Sequence, residues 1–292
     1  MRNSDSENTP WWWRLCRYPT RALRTVTPDV SDARSGAAIE YLSAVTETPF
    51  ASDWYSLSDD GHFWMQWRLG VALRLIQASG LGLDDSLHAL DIGGGVGRFR
   101  TQLERATRWQ VDMTDLNLPA LQMVTPARGR TLYYDVTQSS RPLRETYDAC
   151  FLFDVIEHLR NPEPLIRAAL DHLRPGGRLF VNVPALQGFF SAYDVALGHE
   201  RRYSKATLAT EFTGLPCRLT TVQYWGLALL PLLSLRWLLA GRHPGAHTIR
   251  AGFKPPSSLV NQALKALMRL ETALLKSPPI GISVMAAGVK LA

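Results

Sequence analysis

A chain of 292 residues with 46% apolar and 20% charged side chains can bury one substantial core, and that composition excludes disorder for most of its length. Lysine and arginine outnumber aspartate and glutamate by 32 to 26, a net charge of +6 that suits a phosphate-rich partner, an anionic membrane surface or an acidic substrate and selects none of them. Cys16, Cys150 and Cys217 are too widely spaced for a disulfide framework or a zinc site, and no apolar leader opens the chain, so a cytoplasmic protein is expected.

Residues 1–32 mix Pro, Arg and the triplet Trp11-Trp12-Trp13 without periodicity and are expected to form a loosely ordered arm. Residues 33–80 read as an N-terminal helical cap, in which Phe63, Trp67, Val71 and Ile76 fall near one face and Arg68 and Arg74 lie off it. From 81 to 224, short apolar runs alternate with helical stretches, with strands expected at about 87–92, 109–114, 131–134, 148–153, 178–183 and 218–224. Helices are expected at about 97–106, 118–124, 162–173 and 204–213, the third ended by the breakers Arg174-Pro-Gly-Gly177. Such alternation specifies an α/β fold with a parallel sheet and crossover helices. Residues 225–279 read as a helical insertion of two helices, Trp225 to Ala240 and Ser257 to Lys276, before a final strand within 280–292. The first helix is almost wholly apolar, but it holds Pro231 and Arg236 and falls short of the roughly 20 residues that span a bilayer.

The first strand runs into Asp91-Ile-Gly-Gly-Gly-Val-Gly97, a sharp turn into the next helix, where glycines admit a ligand close to the backbone and expose helix N-terminal amides. A dinucleotide fingerprint counted from Gly93 and Gly95 meets Arg98 at its third glycine position, and that bulk opposes close helix–strand packing, so hydride transfer is disfavoured. The spacing fits Asp/Glu-x-Gly-x-Gly-x-Gly instead, in which an acidic residue faces a cationic cofactor and no pyrophosphate is cradled. The second strand ends at Asp115, where a carboxylate can accept hydrogen bonds from both hydroxyls of a ribose. Asp112 competes for that role, but Asp115-Leu116-Asn117 stands directly before a helix. Tyr133-Tyr134-Asp135-Val136 closes the third strand with an acid able to receive an adenine amino group. The fourth strand runs through Phe153 into the polar cluster Asp154-Val-Ile-Glu157-His158, at the sheet edge where ligands of open α/β folds bind.

Through these residues the stretch from about His62 to Thr221 resembles the type 11/12 group of class I methyltransferases. The matching segments are His62-Phe-Trp64, Asp91 to Gly97, Asp115, Asp135, Asp154-Val-Ile-Glu-His158, Leu173-Arg-Pro-Gly-Gly177 and Gly198-His-Glu-Arg-Arg-Tyr203. The resemblance implies a Rossmann-like doubly wound sheet of seven strands with the last one antiparallel, and S-adenosyl-L-methionine as methyl donor. It implies that Asp91, Gly93, Gly95 and Gly97 surround the methionine moiety, Asp115 with Leu116 the ribose, and Asp135 with Val136 the adenine, with Phe153 also in the cofactor site.

The Asp154, Glu157, His158 cluster further resembles the Glu-x-x-Glu-His divalent-metal site of the ubiquinone-pathway O-methyltransferases, with Asp in place of the first Glu. Similar Glu-His pairs recur in the wider group without metal, so a metal-free role and activity indifferent to chelation are expected. After the fifth strand, Tyr193, Asp194, His199 and Tyr203 supply acid/base and hydrogen-bonding groups, and Arg201-Arg202 suits an anionic substrate or the cofactor carboxylate. His158, His199 and Asp194 are the expected catalytic groups, whereas His88, His172, His243 and His247 lie in contexts away from the strand-end edge. In the second insertion helix Val260, Leu264, Leu267 and Leu274 stand opposite Lys265, Arg269 and Lys276, so residues 225–276 are read as a substrate roof, a peripheral membrane contact or a homodimer face. The fourth strand lacks the Asn/Asp-Pro-Pro-Tyr/Phe motif of enzymes that methylate nucleic-acid amino groups, and no nucleic-acid partner is expected. O-methylation of a small-molecule, glycan or lipid-linked acceptor is the leading expectation; N-methylation of a small amine and a catalytically silent cofactor-binding partner protein are its rivals.

Overall fold

The computed structural model describes residues 37–46, 62–138, 143–240 and 257–292. The arm expected over residues 1–32, together with His243 and His247, lies outside the described residues. Strands β1 (Ile39–Tyr41), β2 (His88–Ile92), β3 (Gln110–Asp115), β4 (Thr131–Tyr133), β5 (Tyr147–Phe153), β6 (Leu173–Pro184), β7 (Cys217–Trp225) and β8 (Ser283–Lys290) form one sheet in the order β1-β4-β3-β2-β5-β6-β8-β7. β8 runs antiparallel to both of its neighbours, β6 and β7, and the pairings among β1 to β6 are parallel, so the doubly wound sheet with an antiparallel last strand is present.

Two features depart from the sequence reading. The sheet has eight strands where seven were expected, because Ile39-Glu40-Tyr41, in a stretch read as helical, adds a short parallel strand to β4. Tyr41 lies with its ring centroid 5.8 Å from that of Tyr133, and β-branched and aromatic side chains suit such an edge better than a helix. The breakers Arg174 to Gly177 end the preceding helix as expected but fall inside β6, where the pairing with β5 jumps from Tyr147–Leu173 to Ala149–Arg178.

The helices are α1 (Phe63–Ala78), α2 (Arg98–Ala106), α3 (Leu118–Gln122), α4 (Glu163–His172), α5 (Ala192–Ala196), α6 (Lys205–Thr210), α7 (Leu230–Ala240) and α8 (Ser258–Leu274). His62 starts α1 by accepting the Trp64 N–H on Nδ1 at 3.2 Å, and Val71, Ala72, Leu75 and Ile76 are buried along its inner side. The sheet separates two cores: Ile166, Leu170, Leu208 and Phe212 of the α4 and α6 side pack on one face, and Trp67, Ile76, Phe99, Leu103 and Met268 of α1, α2 and α8 on the other. Trp225, at the end of β7, is sandwiched there by Trp64 (ring centroids 4.5 Å apart) and Trp67 (5.2 Å, edge-on).

Hydrogen bonds latch α8 to α1: Asn261 Oδ1 accepts the Phe63 N–H at 2.9 Å, and Thr272 Oγ1 accepts the Trp67 indole N–H at 3.0 Å. The buried Glu271 carboxylate accepts from the N–H groups of Gly226, Leu227 and Ala228 at 2.9, 3.2 and 2.7 Å, closing the turn that leads from β7 toward α7. Glu271→Ala leaves three amides without their acceptor and is expected to lower stability by roughly 2–3 kcal/mol, measured by urea unfolding. A loss below about 0.5 kcal/mol would show that the turn stands without the carboxylate.

Candidate active site

A cavity of about 540 Å³ opens at the carboxyl edge of the sheet. Its wall combines the β2–α2 turn, the ends of β3, β4 and β5, the loop around α5, the first turns of α1 and the start of α7. Of the sequence-derived cofactor residues, Asp91, Gly93, Gly95, Asp115, Leu116, Asp135, Val136 and Phe153 all line it. Gly97 does not. Its φ of +74° makes it the left-handed N-cap of α2, and a Cβ there would lie 3.0 Å from Met113 Sδ and 3.3 Å from Val124 Cγ1, so this glycine serves turn geometry and packing.

The choice between Asp112 and Asp115 follows from strand alternation, because residues three apart on β3 point to opposite faces. Asp112 is buried against Arg130, the Tyr147 hydroxyl and His88, where burial would raise its carboxyl but His88 and Arg130 hold it well below the usual range. Asp115 faces the cavity and accepts the Gly95 N–H and the Asn117 N–H, each at 2.8 Å; burial raises its carboxyl against these stabilising contacts. Asp135 accepts the Thr137 N–H at 3.0 Å and the Thr137 hydroxyl at 2.6 Å, which fixes its carboxylate at the cavity wall. Asp91 is buried with Oδ2 lacking any hydrogen-bond partner, and burial pushes its carboxyl up to about 7 despite Arg68 and Arg100 nearby. An orphaned, desolvated carboxylate oxygen beside glycine amides is a receptor for a cationic or donor-rich ligand.

At the end of β5 the chain turns through Asp154, which adopts φ +58° and so carries backbone strain. Its carboxylate accepts from Arg68 at 2.5 Å and from the Asn182 amide at 2.7 Å. The turn throws Val155 over Gly93, where a Cβ would lie only 2.7 Å from Val155 Cγ2; a glycine is required at that point. Arg68 is a correction to the helical-face reading: it is buried, and its guanidinium sits 5.8 Å from the ring centroids of both Phe99 and Phe153. Nothing in the α1 sequence signals this, since the partner carboxylate lies 86 residues away.

Asp154 is therefore withdrawn from the cluster it was grouped with. The side chains that converge instead are Glu157, His158 and His199, which offer ligand atoms all within 4.8 Å of one another. Glu157 is fully buried with neither carboxylate oxygen hydrogen-bonded, and burial, with Asp154 adding to it, pushes its carboxyl well above the usual range. His158 donates from Nδ1 to the Gly198 carbonyl at 3.2 Å, and burial together with neighbouring His199 lowers it to about 3. A ring so hard to protonate is a poor base. His199 Nδ1 donates to Asp194 at 3.0 Å, which assigns Nε2 as its proton-accepting atom. Burial would raise the Asp194 carboxyl, but hydrogen bonds from His199 and Arg202 hold it down.

The Arg201-Arg202 pair divides: Arg202 lines the cavity and donates to Asp194 at 2.8 Å, whereas Arg201 is held by the Arg160 carbonyl at 2.6 Å and by Glu211 at 3.5 Å. Tyr193 lines the cavity, whereas Tyr203 is buried outside it, and burial pushes its hydroxyl up. His88 and His172 stay off the cavity, as expected. The cavity's apolar ceiling is formed by Leu229, Leu232 and Leu233, within the segment for which a substrate roof was one reading.

An open sheet with one antiparallel strand, bearing a glycine turn and three acidic strand ends around a single cavity, defines a Rossmann-like methyltransferase. In agreement, the model of a methyltransferase-domain family matches residues 63–240, more than half of the chain. The chain belongs to that family and is a class I S-adenosylmethionine-dependent methyltransferase. No curated protein matches it in sequence. Similar solved structures include the [4+2]-cyclase SpnF, with TM-score 0.51 and 16% identity over 80% of this chain and 86% of that one. Another is a chain from the complex of the Haloferax volcanii Trm112 methyltransferase activator with a candidate methyltransferase, with TM-score 0.54 and 12% identity over 85% of this chain and 100% of that one. A candidate sarcosine dimethylglycine methyltransferase from Galdieria sulphuraria has TM-score 0.50 and 14% identity over 78% and 85%. At these identities the likeness is one of fold.

The Asp91 carboxyl has a pH consequence. Its folded-state value near 7 lies above an unfolded value of about 3.9, so between these limits the folded state binds the extra proton and stability falls as pH rises, by up to about 1.4 kcal/mol per unit. The loss is complete above about pH 7. Asp91→Asn is expected to flatten this part of the pH–stability curve of the ligand-free protein between pH 5 and about 7, as read by chemical unfolding; an unchanged slope would remove Asp91 as its source.

Proposed function

We propose that the protein methylates a hydroxyl of an acceptor with an apolar body, a lipid-linked or hydrophobic small molecule, using His199 as the base. The observation that carries this reading is His199 on the wall of the cavity that the glycine turn also lines, backed by the buried Asp194 at 3.0 Å. S-adenosylmethionine supplies an electrophilic methyl carbon on a sulfonium. Asp91, Gly93 and Gly95 are assigned to its methionine end, Asp115 with Leu116 to the ribose, and Asp135 with Val136 to the adenine, and Phe153 to the same site. The unpartnered Asp91 oxygen and the glycine amides fit that cation.

The chain's work is to align the hydroxyl in line with the methyl, exclude water and accept the hydroxyl proton. His199 Nε2 takes that proton, and Asp194 stabilises the resulting imidazolium through Nδ1–H. His158, held neutral, hydrogen-bonds rather than ionises. The residues Leu229, Leu232 and Leu233 support an apolar acceptor body, because a polar one would lose its hydration against them without compensation.

The reading is tested with methyl-labelled S-adenosylmethionine, lipid and polar cell extracts, and mass spectrometry of what gains the methyl. His199→Ala is expected to lower kcat by about 10²–10³ with cofactor affinity unchanged, and Asp194→Asn by a smaller factor in the same direction. Wild-type turnover in His199→Ala, or label found on an amine nitrogen, would overturn the assignment. A second reading is favoured by one observation, the mutual proximity of Glu157, His158 and His199: a divalent cation held there would acidify the hydroxyl. Turnover that survives EDTA is expected for the base; turnover lost to EDTA and restored by Mg²⁺ or Zn²⁺ would select the cation.

A further inference from the structure

Residues 225–280 carry most of the apolar surface that the fold leaves uncovered. Of the fifteen large apolar side chains exposed among the described residues, eleven lie in this segment. α8 has two apolar sides. Leu264 and Met268 pack toward α1, while Leu259, Leu267, Leu270 and Leu274 recur at helical spacing along an outer side, with Leu259 80% and Leu274 71% exposed. This corrects the sequence reading, which put Leu264 on the same stripe as Leu267 and Leu274. On α7, Leu232, Leu235, Trp237 and Leu238 are exposed as well.

The charge of the segment is one-sided. Between 225 and 280 the sequence holds seven Lys and Arg residues and a single acid, Glu271. That acid is buried under the amides of Gly226, Leu227 and Ala228, so the segment presents no carboxylate to balance Lys265, Arg269 and Lys276. A second copy using the same face would bring like charges together, which argues against self-association. No helix of the described residues is long and apolar enough to cross a membrane, and α8, of 17 residues, suits a position flat in an interface.

On α7 the exposed apolar surface runs into the active-site cavity. Leu232 is 52% exposed and also lines the cavity, as do Leu229 and Leu233 next to it. Trp237 meets Phe189, from the loop after β6, with ring centroids 6.0 Å apart at the same end of the molecule.

We propose that the outer sides of α7 and α8 dock on an anionic lipid surface, and that an acceptor enters the cavity past Leu232 with its tail still in the apolar layer. The docking rests on the exposed stripe and the unbalanced cations; the entry route rests on the apolar-acceptor reading above. Leucines at the level of the acyl boundary and cations among the head groups give the two components of interfacial binding.

The full chain is sedimented with vesicles of phosphatidylcholine alone and with about one third phosphatidylglycerol, at low and at raised salt. Binding to the mixed vesicles, weak binding to the neutral ones and release by salt are expected. The variant Leu259→Ser, Leu270→Ser, Leu274→Ser and the variant Arg269→Glu, Lys276→Glu should each reduce partitioning by about tenfold or more, with cofactor affinity and thermal midpoint kept because these side chains are exposed. Failure to bind mixed vesicles overturns the docking, as does equal binding by both variants. A dimer in light scattering that the triple-leucine variant converts to monomer, without vesicle binding, assigns the face to a second copy and overturns it too. Vesicle binding needs no turnover, so docking with no labelled hydroxyl acceptor would leave the surface standing and remove the proposed reaction alone.

Discussion

The carboxylate of Asp154 ties together parts of the chain that have no local reason to meet. It receives the Arg68 guanidinium from α1 and the Asn182 amide from β6, and Asn182 in turn accepts the Trp225 indole N–H from β7 at 2.9 Å. These contacts run across the end of the sheet that carries the cavity, and they hold α1 down as one of its walls. The positive φ of Asp154 is sustained by this over-determination, including its own N–H to the Asn182 carbonyl at 2.9 Å. The same conformation sets Val155 against Gly93, so the shape of the glycine turn and the anchoring of α1 depend on one residue.

Much of the fold was legible because the β-strands of a parallel sheet are short apolar runs that end in chemistry. Asp91, Asp115 and Asp135 each close such a run, and the residue count along the strand alone sends Asp112 to the opposite face from Asp115. What could not be read are the pairings made by distant segments. Arg68 lies off the apolar face read for α1, and its partner Asp154 comes from the turn after β5. His199 joins Glu157 and His158 through the backbone, with the Glu200 N–H donating to the Glu157 carbonyl at 2.8 Å, a contact across 43 residues that no local pattern encodes. Gly97 shows the opposite failure: the motif is right, but the third glycine answers to Met113 and Val124 rather than to a ligand.

The polar groups of the cavity divide by how their charges are managed. Asp115, Asp135 and Asp194 are each satisfied by several donors, whereas Asp91 and Glu157 are buried with unpartnered oxygens. Such oxygens are costly in an empty site and become favourable once a ligand supplies donors or positive charge. The cavity therefore concentrates unmet polarity at the two places where the methyl donor and the acceptor are assigned, while its ceiling remains hydrocarbon.

The indole cluster has an optical consequence. Trp64 lines the cavity and lies face to face with Trp225, whose indole is pinned by Asn182 and crossed edge-on by Trp67. An aromatic or charged ligand that reaches Trp64 alters one member of a coupled set of chromophores whose other members are fixed in the core. Intrinsic emission is thus an internal gauge of site occupancy, reporting from the wall of the cavity with no label attached.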